Sequence, residues 1–292
     1  QAINSAYITN IPLEGILNDF ETKLFNLTIK TRTKKFSTSA ELLNSIFYDL
    51  KTKSLNSTLL GLSSGFKDLD SLTQGFQKSD LIIIAGRPSM GKTALGLNIA
   101  LNITKNSRLP ILFFSLEMSK EQIMYRLLSM ETNISQMKLK SGKLSQNDWS
   151  KLNKIVKILS KLPIFIDDSF NLSILDIRSK IKTIIFEQNN IGLIILDYLQ
   201  LMQSSNNERE NRVQELSKIT RSLKTLAREF NIPIIALSQL SRNVENRIDK
   251  RPILSDLRES GSIEQDADLV LMLHQNNQYN SNQPNEQTLQ IT

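Results

Sequence analysis

The residues Gly86-Arg87-Pro88-Ser89-Met90-Gly91-Lys92-Thr93 fit the pattern G-x-x-x-x-G-K-[ST]. A turn of this kind does one kind of chemistry well. Its glycines let backbone N–H groups face a phosphate, and the helix that follows adds the positive end of its dipole. Lys92 is placed to reach the β- and γ-phosphates of a nucleotide, and Thr93 to put its hydroxyl on Mg²⁺. With Ala94 on the first helical turn, the cofactor-binding stretch runs from Gly86 to Ala94. A second Mg²⁺ contact is needed, and Asp197 at the end of Leu193–Asp197 (LIILD) supplies one. Asp167 and Asp168 also end an apolar run, so strand order must decide between them. Glu117 follows Ile111–Ser115 and has two readings. It is the general base for an attacking water, or a first-turn glutamate favoured by the next helix's dipole. The sequential layout puts it at the same sheet edge, one strand from the phosphate loop.

These residues need a frame that brings distant strand ends together. Apolar runs occur at 81–85, 111–115, 164–167, 193–197, 234–238 and 269–273. They are short, continuous and rich in Ile and Leu, as are strands buried on both faces of a parallel sheet. Helical segments lie between them at about 92–105, 119–130, 145–160, 173–188 and 209–229. Alternation of this kind predicts an α/β, doubly wound, mainly parallel sheet with its ligands at the carboxyl ends of the strands. Residues 1–56 read differently. Leu13, Ile16, Leu17, Phe20, Leu24 and Leu27 recur at helical spacing, a basic polar stretch covers 31–39, and a short helix covers 40–51. Such a segment cannot close a core alone, so it is a linker region, and the domain occupies 57–292. Asn276–Gln287, rich in Asn and Gln, reads as a loop. His274 is read as structural, placed after the last strand.

Composition removes several function classes. No cysteine is present, which excludes disulfide scaffolds, thiolate zinc sites and cysteine nucleophiles. A single histidine argues against His-pair metal sites. No apolar run approaches the roughly 18 residues of a spanning helix, so no membrane partner is expected. The net charge of +7 suits an anionic partner such as nucleic acid. A chain rich in Asn, Ile and Lys, however, also gains charge from an AT-rich genome.

Together, RPSMGKT, SLEMS (115–119), LIILDYLQLM (193–202), the stretch 211–242 and DKRPILSDLRESGSIEQDAD (249–268) resemble replicative DNA helicases of the DnaB type, within the RecA-like hexameric ATPases. The resemblance implies a RecA-like fold, ATP and Mg²⁺ as cofactors, and a ring motor that translocates on single-stranded DNA and unwinds duplex. It implies that Glu117 is the catalytic glutamate, and that Gln239 senses the γ-phosphate and couples it to DNA; a strand-capping role is the alternative for Gln239. Arg126 resembles a nucleotide-contacting arginine, with a solvated helix face as the alternative. The segment Asp256–Asp266 resembles a DNA-binding loop facing a central channel, in which Arg258, Glu259 and Gly261 contact the strand backbone; a surface ion pair is the alternative for Arg258 and Glu259.

The helix near 13–27 resembles the linker helix that docks on a neighbouring subunit, implying a homo-hexamer, with primase and a helicase loader as possible partners. The family's N-terminal helical domain is absent from this sequence. Thr288–Thr292 stands where a further strand begins, ahead of the basic turn carrying the family's lysine and arginine finger. No residue is assigned as the finger, and the chain reads as truncated or defective as it stands. The compositional bias suits a plastid-encoded copy, in the chloroplast stroma, or an AT-rich bacterium's cytoplasm. The rival readings are a ring ATPase without unwinding activity and an inactive DNA-binding or assembly fragment.

Overall fold

A computed structural model of the chain describes residues 38–55, 60–170, 172–202, 212–247, 249, 251–275 and 289–292. The amphipathic stripe at Leu13–Leu27, most of the basic stretch 31–39 and the Asn/Gln-rich segment 276–287 lie outside the described residues. The chain divides into two units, 1–58 and 59–292. In the first, helix α1 spans Ser39–Leu55.

The second unit is a seven-stranded sheet. Strands β1 (Leu81–Gly86), β2 (Ile111–Ser115), β3 (Ile164–Asp167), β4 (Leu193–Asp197), β5 (Ile234–Gln239), β6 (Leu269–Gln275) and β7 (Leu289–Ile291) lie in the order β3-β2-β4-β5-β1-β6-β7. The first six are parallel, and β7 runs antiparallel to β6. The helices of this unit are α2 (Lys67–Thr73), α3 (Lys92–Ser107), α4 (Lys120–Thr132), α5 (Gln136–Ser141), α6 (Gln146–Leu159), α7 (Ile174–Gln188), α8 (Arg212–Phe230) and α9 (Gly261–Asp266).

The continuous apolar runs have a simple cause. Successive side chains of a strand point to opposite faces, and here both faces are covered. Leu81, Ile83 and Ala85 pack with Ile177 and Ile181 of α7 and Leu223 and Leu226 of α8. Ile82 and Ile84 pack with Leu97, Leu101 and Ile103 of α3 and Ile123 and Leu127 of α4. Polar residues on either face would be buried without partners. Helix starts are equally local. Ser119, Ser145 and Ser173 each cap a helix and close a capping box with the residue three positions on.

Two expectations need correcting. His274 lies inside β6, opposite Gln290 of β7, and β6 is not the last strand. Asp256–Asp266 is not an open loop. It forms a 3₁₀ helix, Leu254–Ser260, that runs into α9. Leu257 and Ile263 are the reason, since both are buried in the core beneath it.

Candidate active site

Strand β1 ends at Gly86, flanked by Gln239 of β5 and Leu273 of β6. A Cβ on Gly86 would lie 3.2 Å from Leu273 Cβ and 3.4 Å from Lys92 Cγ, so the strand end has little room for a side chain. Gly91 caps α3 with φ 83°. A Cβ there would meet nothing within 4 Å. Backbone conformation, not crowding, therefore selects glycine at this position, and the loop faces open space. Lys92 opens α3 and folds back over the loop. Its Nζ donates to the carbonyls of Gly86 at 2.8 Å and Arg87 at 3.1 Å. Burial holds this ammonium below the ordinary lysine range, against the opposing pull of the Asp197 and Glu117 carboxylates.

Thr93 reaches across to β4, where its Oγ1 donates to Asp197 Oδ2 at 2.7 Å. Asp197 is 1% exposed. Burial pushes its carboxyl up, and the Glu117 charge adds to this, while the Thr93 bond and the Lys92 charge oppose it. Its second oxygen, Oδ1, is buried with no hydrogen-bond partner among the described residues. A hydroxyl paired with a buried carboxylate that still has an acceptor oxygen to offer fits a hard divalent cation, which takes oxygen ligands. The competing aspartates are engaged elsewhere. Asp167 pairs with Lys180, and Asp168 with Lys120 at 3.8 Å. They stand at the edge strand β3, whereas β4 lies inside the sheet.

Glu117 reaches the site by another path than the sequential layout suggests. Strand β2 is not adjacent to β1; β4 and β5 stand between them. The crossovers place strands by packing, so order along the chain does not give order in the sheet. Glu117 is also outside the first turn of α4, because Ser119 is the cap and Lys120 the first helical residue. It is exposed and faces a cavity of about 580 Å³. That cavity is lined by Pro88, Ser89, Gly91, Lys92, Thr93, Glu117, Arg126, Asp197 and Gln239, and also by Met118, Gln122, Gln136, Lys140 and Tyr198. Burial raises the Tyr198 phenol, with the Glu117 and Asp197 charges adding to it.

Arg126 projects into this cavity from α4, and its Nε is buried without a partner among the described residues. Gln239 is held at the end of β5 by Gln200, which accepts its N–H at 3.3 Å and donates to its carbonyl at 3.3 Å and to Ser238 Oγ at 3.0 Å. Gly86, Arg87, Met90 and Ala94 do not line the cavity. Met90 packs against the core. The Arg87 side chain turns away from the cavity, to Glu245 and the Leu240 carbonyl.

A family model described as the DnaB-like helicase C terminal domain matches residues 61–292. The chain belongs to the DnaB-like helicase C-terminal domain family. It is 66% identical over its full length to a probable replicative DNA helicase of Trieres chinensis, spanning 64% of that protein. It is 42% identical over 286 residues to the replicative DNA helicase DnaB of Geobacillus stearothermophilus, covering 98% of this chain and 63% of that one. Among solved structures it resembles one described as an ATPase domain, with a TM-score of 0.79 at 34% identity over 88% of this chain and 95% of the other. A DnaB-like replicative helicase described with its primase interactions superposes with a TM-score of 0.82 at 31% identity, over 100% of this chain and 70% of the other.

Membership of the DnaB-like family makes the fold RecA-like and implies nucleotide use. The segment 256–266, which the sequence reading assigns to DNA, has its backbone described here. Arg258 and Glu259 lie in the last turn of the 3₁₀ helix and Gly261 opens α9; the side chains of Arg258 and Glu259 lie outside the described residues. Among the described residues, no group of His, Cys, Asp and Glu could hold a metal by itself, and no helix is long and apolar enough to cross a membrane.

Sequence reasoning missed Met118, Gln122, Gln136, Lys140 and Tyr198. Gln122, Gln136 and Lys140 are polar residues on helix faces, which carry no periodic signal of a site, and Met118 and Tyr198 sit just after strand ends. The packing of α4 and α5 beside the strand ends brings Gln122, Gln136 and Lys140 to the cavity, and the order of β2 and β4 brings Met118 and Tyr198.

Proposed function

We propose that this chain is the motor of a ring-shaped replicative DNA helicase, which hydrolyses ATP with Mg²⁺ to move along single-stranded DNA and unwind duplex at the fork. One observation carries the reading. Lys92, the Thr93–Asp197 pair, Glu117 and Gln239 come from four different strand ends and line one cavity. The RecA-like ring ATPase without unwinding is the rival, and the match to DnaB-like helicases over 61–292 favours the helicase.

In this reading Lys92 exchanges its two carbonyl partners for the β- and γ-phosphates. Its depressed pKa reflects burial that the phosphate charge would relieve. Thr93 and Asp197 would hold Mg²⁺, which when bound neutralises charge building on the phosphates. Glu117, exposed at the cavity wall, accepts a proton from the attacking water. Arg126 brings its buried Nε–H to the nucleotide. Gln239 lies between the phosphate loop and Gln200, and so senses the γ-phosphate from the adjoining strand. Arg258, Glu259 and Gly261 contact the DNA backbone, which suits a motor that must pass every sequence.

A homo-hexamer joined through the segment near 13–27 and through shared nucleotide sites is the assembly. Primase and a loader are further partners. A plastid setting, or otherwise a bacterial cytoplasm, accords with relatives from Trieres chinensis and Nostoc. The test is Glu117→Gln, which keeps the shape and removes the base. The expected variant binds ATP as tightly as the parent, by equilibrium titration, and hydrolyses it at least 100-fold more slowly, since general-base catalysis supplies roughly 10²–10⁴-fold. Ordinary turnover in this variant refutes the assignment.

A further inference from the structure

We propose that Glu245 is a positioning residue that ties the phosphate loop to the segment bearing Arg258, Glu259 and Gly261, so that nucleotide and DNA binding are coupled through it. This rests on the reading of the two sites given above.

The starting point is an arginine that lies in the phosphate loop yet contributes nothing to the cavity wall. All three guanidinium nitrogens of Arg87 are engaged elsewhere. Nε and Nη2 donate to Glu245 Oε1, each at 2.8 Å, and Nη1 donates to the Leu240 carbonyl at 2.9 Å. Arg87 is therefore fixed, with its side chain 12% exposed. Leu240 and Glu245 belong to the stretch leaving β5, whose 3₁₀ helix covers Arg242–Asn246.

The far end of that stretch is braced in turn. Arg247 pairs with Asp256 and donates to the Arg251 carbonyl at 3.2 Å. The Asp256 carboxylate also accepts the Ile253 N–H at 2.8 Å, and its carbonyl accepts the Ser241 N–H at 3.0 Å. Asp256 is 6% exposed, so the carboxylate that receives these bonds is itself shielded from water. It lies in the same 3₁₀ helix as Arg258 and Glu259, and that helix runs into Gly261.

A relay needs an element with two arrangements, and Lys92 provides it. Its Nζ holds the Arg87 carbonyl at 3.1 Å. When Lys92 turns to phosphates that carbonyl is released, so the backbone at Arg87 is where nucleotide arrival changes the contacts. Glu245 hands the change on. It is 56% exposed and its ion pair lies at the surface, where such pairs add little to stability. Truncation to alanine therefore leaves the fold intact while removing two of the three bonds that fix the Arg87 guanidinium. The hydrogen bonds of Gln239 with Gln200 are untouched by that replacement.

The experiment uses the intact gene product, with Glu245→Ala and Glu245→Asp beside the parent. The affinity for fluorescent oligo-dT is measured with and without a non-hydrolysable ATP analogue, and ATP turnover with and without oligo-dT. Couplings between sites typically amount to about 5–150-fold in affinity. The expected parent shows a factor in that range. Glu245→Ala brings the factor close to one and abolishes DNA stimulation, with basal turnover within about twofold of the parent. Glu245→Asp keeps the carboxylate and recovers part of the coupling. A Glu245→Ala protein with the parent's coupling factor overturns the proposal. So does one that loses nucleotide binding itself, since Glu245 would then be holding the phosphate loop and not relaying from it. A parent that neither binds oligo-dT nor responds to it overturns the functional reading first, and the relay with it.

Discussion

Replacing Asp197 with asparagine separates its structural work from its work on the cation. The side chain is 1% exposed, Oδ2 accepts the Thr93 hydroxyl at 2.7 Å, and Oδ1 has no partner among the described residues. Asparagine keeps the shape and the acceptor for Thr93. A hydrogen bond to a charged group is worth about 1 kcal/mol more than one to a neutral group, so that much is lost. Burial has already raised the aspartate's pKa, so the ionised form carries a cost that asparagine lacks, and the two effects oppose each other. The expected change in the free protein is within about 1 kcal/mol, or roughly 2–4 °C in Tm for a domain of this size.

The bound protein should behave otherwise. Mg²⁺ and nucleotide at 100 times Kd stabilise the parent by about 2.7 kcal/mol, a rise on the order of 5–10 °C. A hundredfold loss of affinity in Asp197→Asn shrinks that term at the same concentrations to about 0.4 kcal/mol. Thermal denaturation with Mg²⁺ and nucleotide, and again with EDTA, reads both quantities. An Asp197→Asn protein that gains as many degrees as the parent, or a parent whose gain survives EDTA, refutes the reasoning.

Three further outcomes are expected. Arg258→Ala should weaken oligonucleotide binding about equally for poly-pyrimidine and mixed strands and lower the slope of log affinity against log salt by about 0.7; an unchanged slope would mean the arginine meets no phosphate. Phe113→Ala removes a fully buried ring from β2 and should cost about 3–5 kcal/mol, read as a lower urea midpoint with an unchanged m-value. Asp70, although its burial acts to raise it, is held below its ordinary pKa by bonds from Ser63, Ser64 and Gly65. Its contribution is present above the ordinary value of about 3.9 and is lost as pH falls through the depressed one. Asp70→Asn should thus be less stable at pH 7, with the difference in Tm closing as pH falls below the ordinary carboxylate range; a gap independent of pH would contradict the sign.

What could be read from the residues was local. A strand buried on both faces must be apolar at every position, so LIIIA, ILFFS and LIILD announced themselves, and all six expected strands occur within two residues of their expected ends. The phosphate loop is equally local, because its glycine geometry, its lysine and its hydroxyl lie within eight consecutive positions.

Strand order is not local. It is set by which crossover helix covers which face, and it put β4 and β5 between the phosphate loop and Glu117. The same order set Thr93 beside Asp197 of β4 and left Asp167 and Asp168 at the edge strand β3. The direction of Arg87 was likewise beyond the pattern, because its partners at Leu240 and Glu245 lie more than 150 residues away in the chain. A residue's type and spacing state what chemistry it can do. Which partners it meets depends on long-range packing, and the energy of that packing is shared among residues that no short stretch contains.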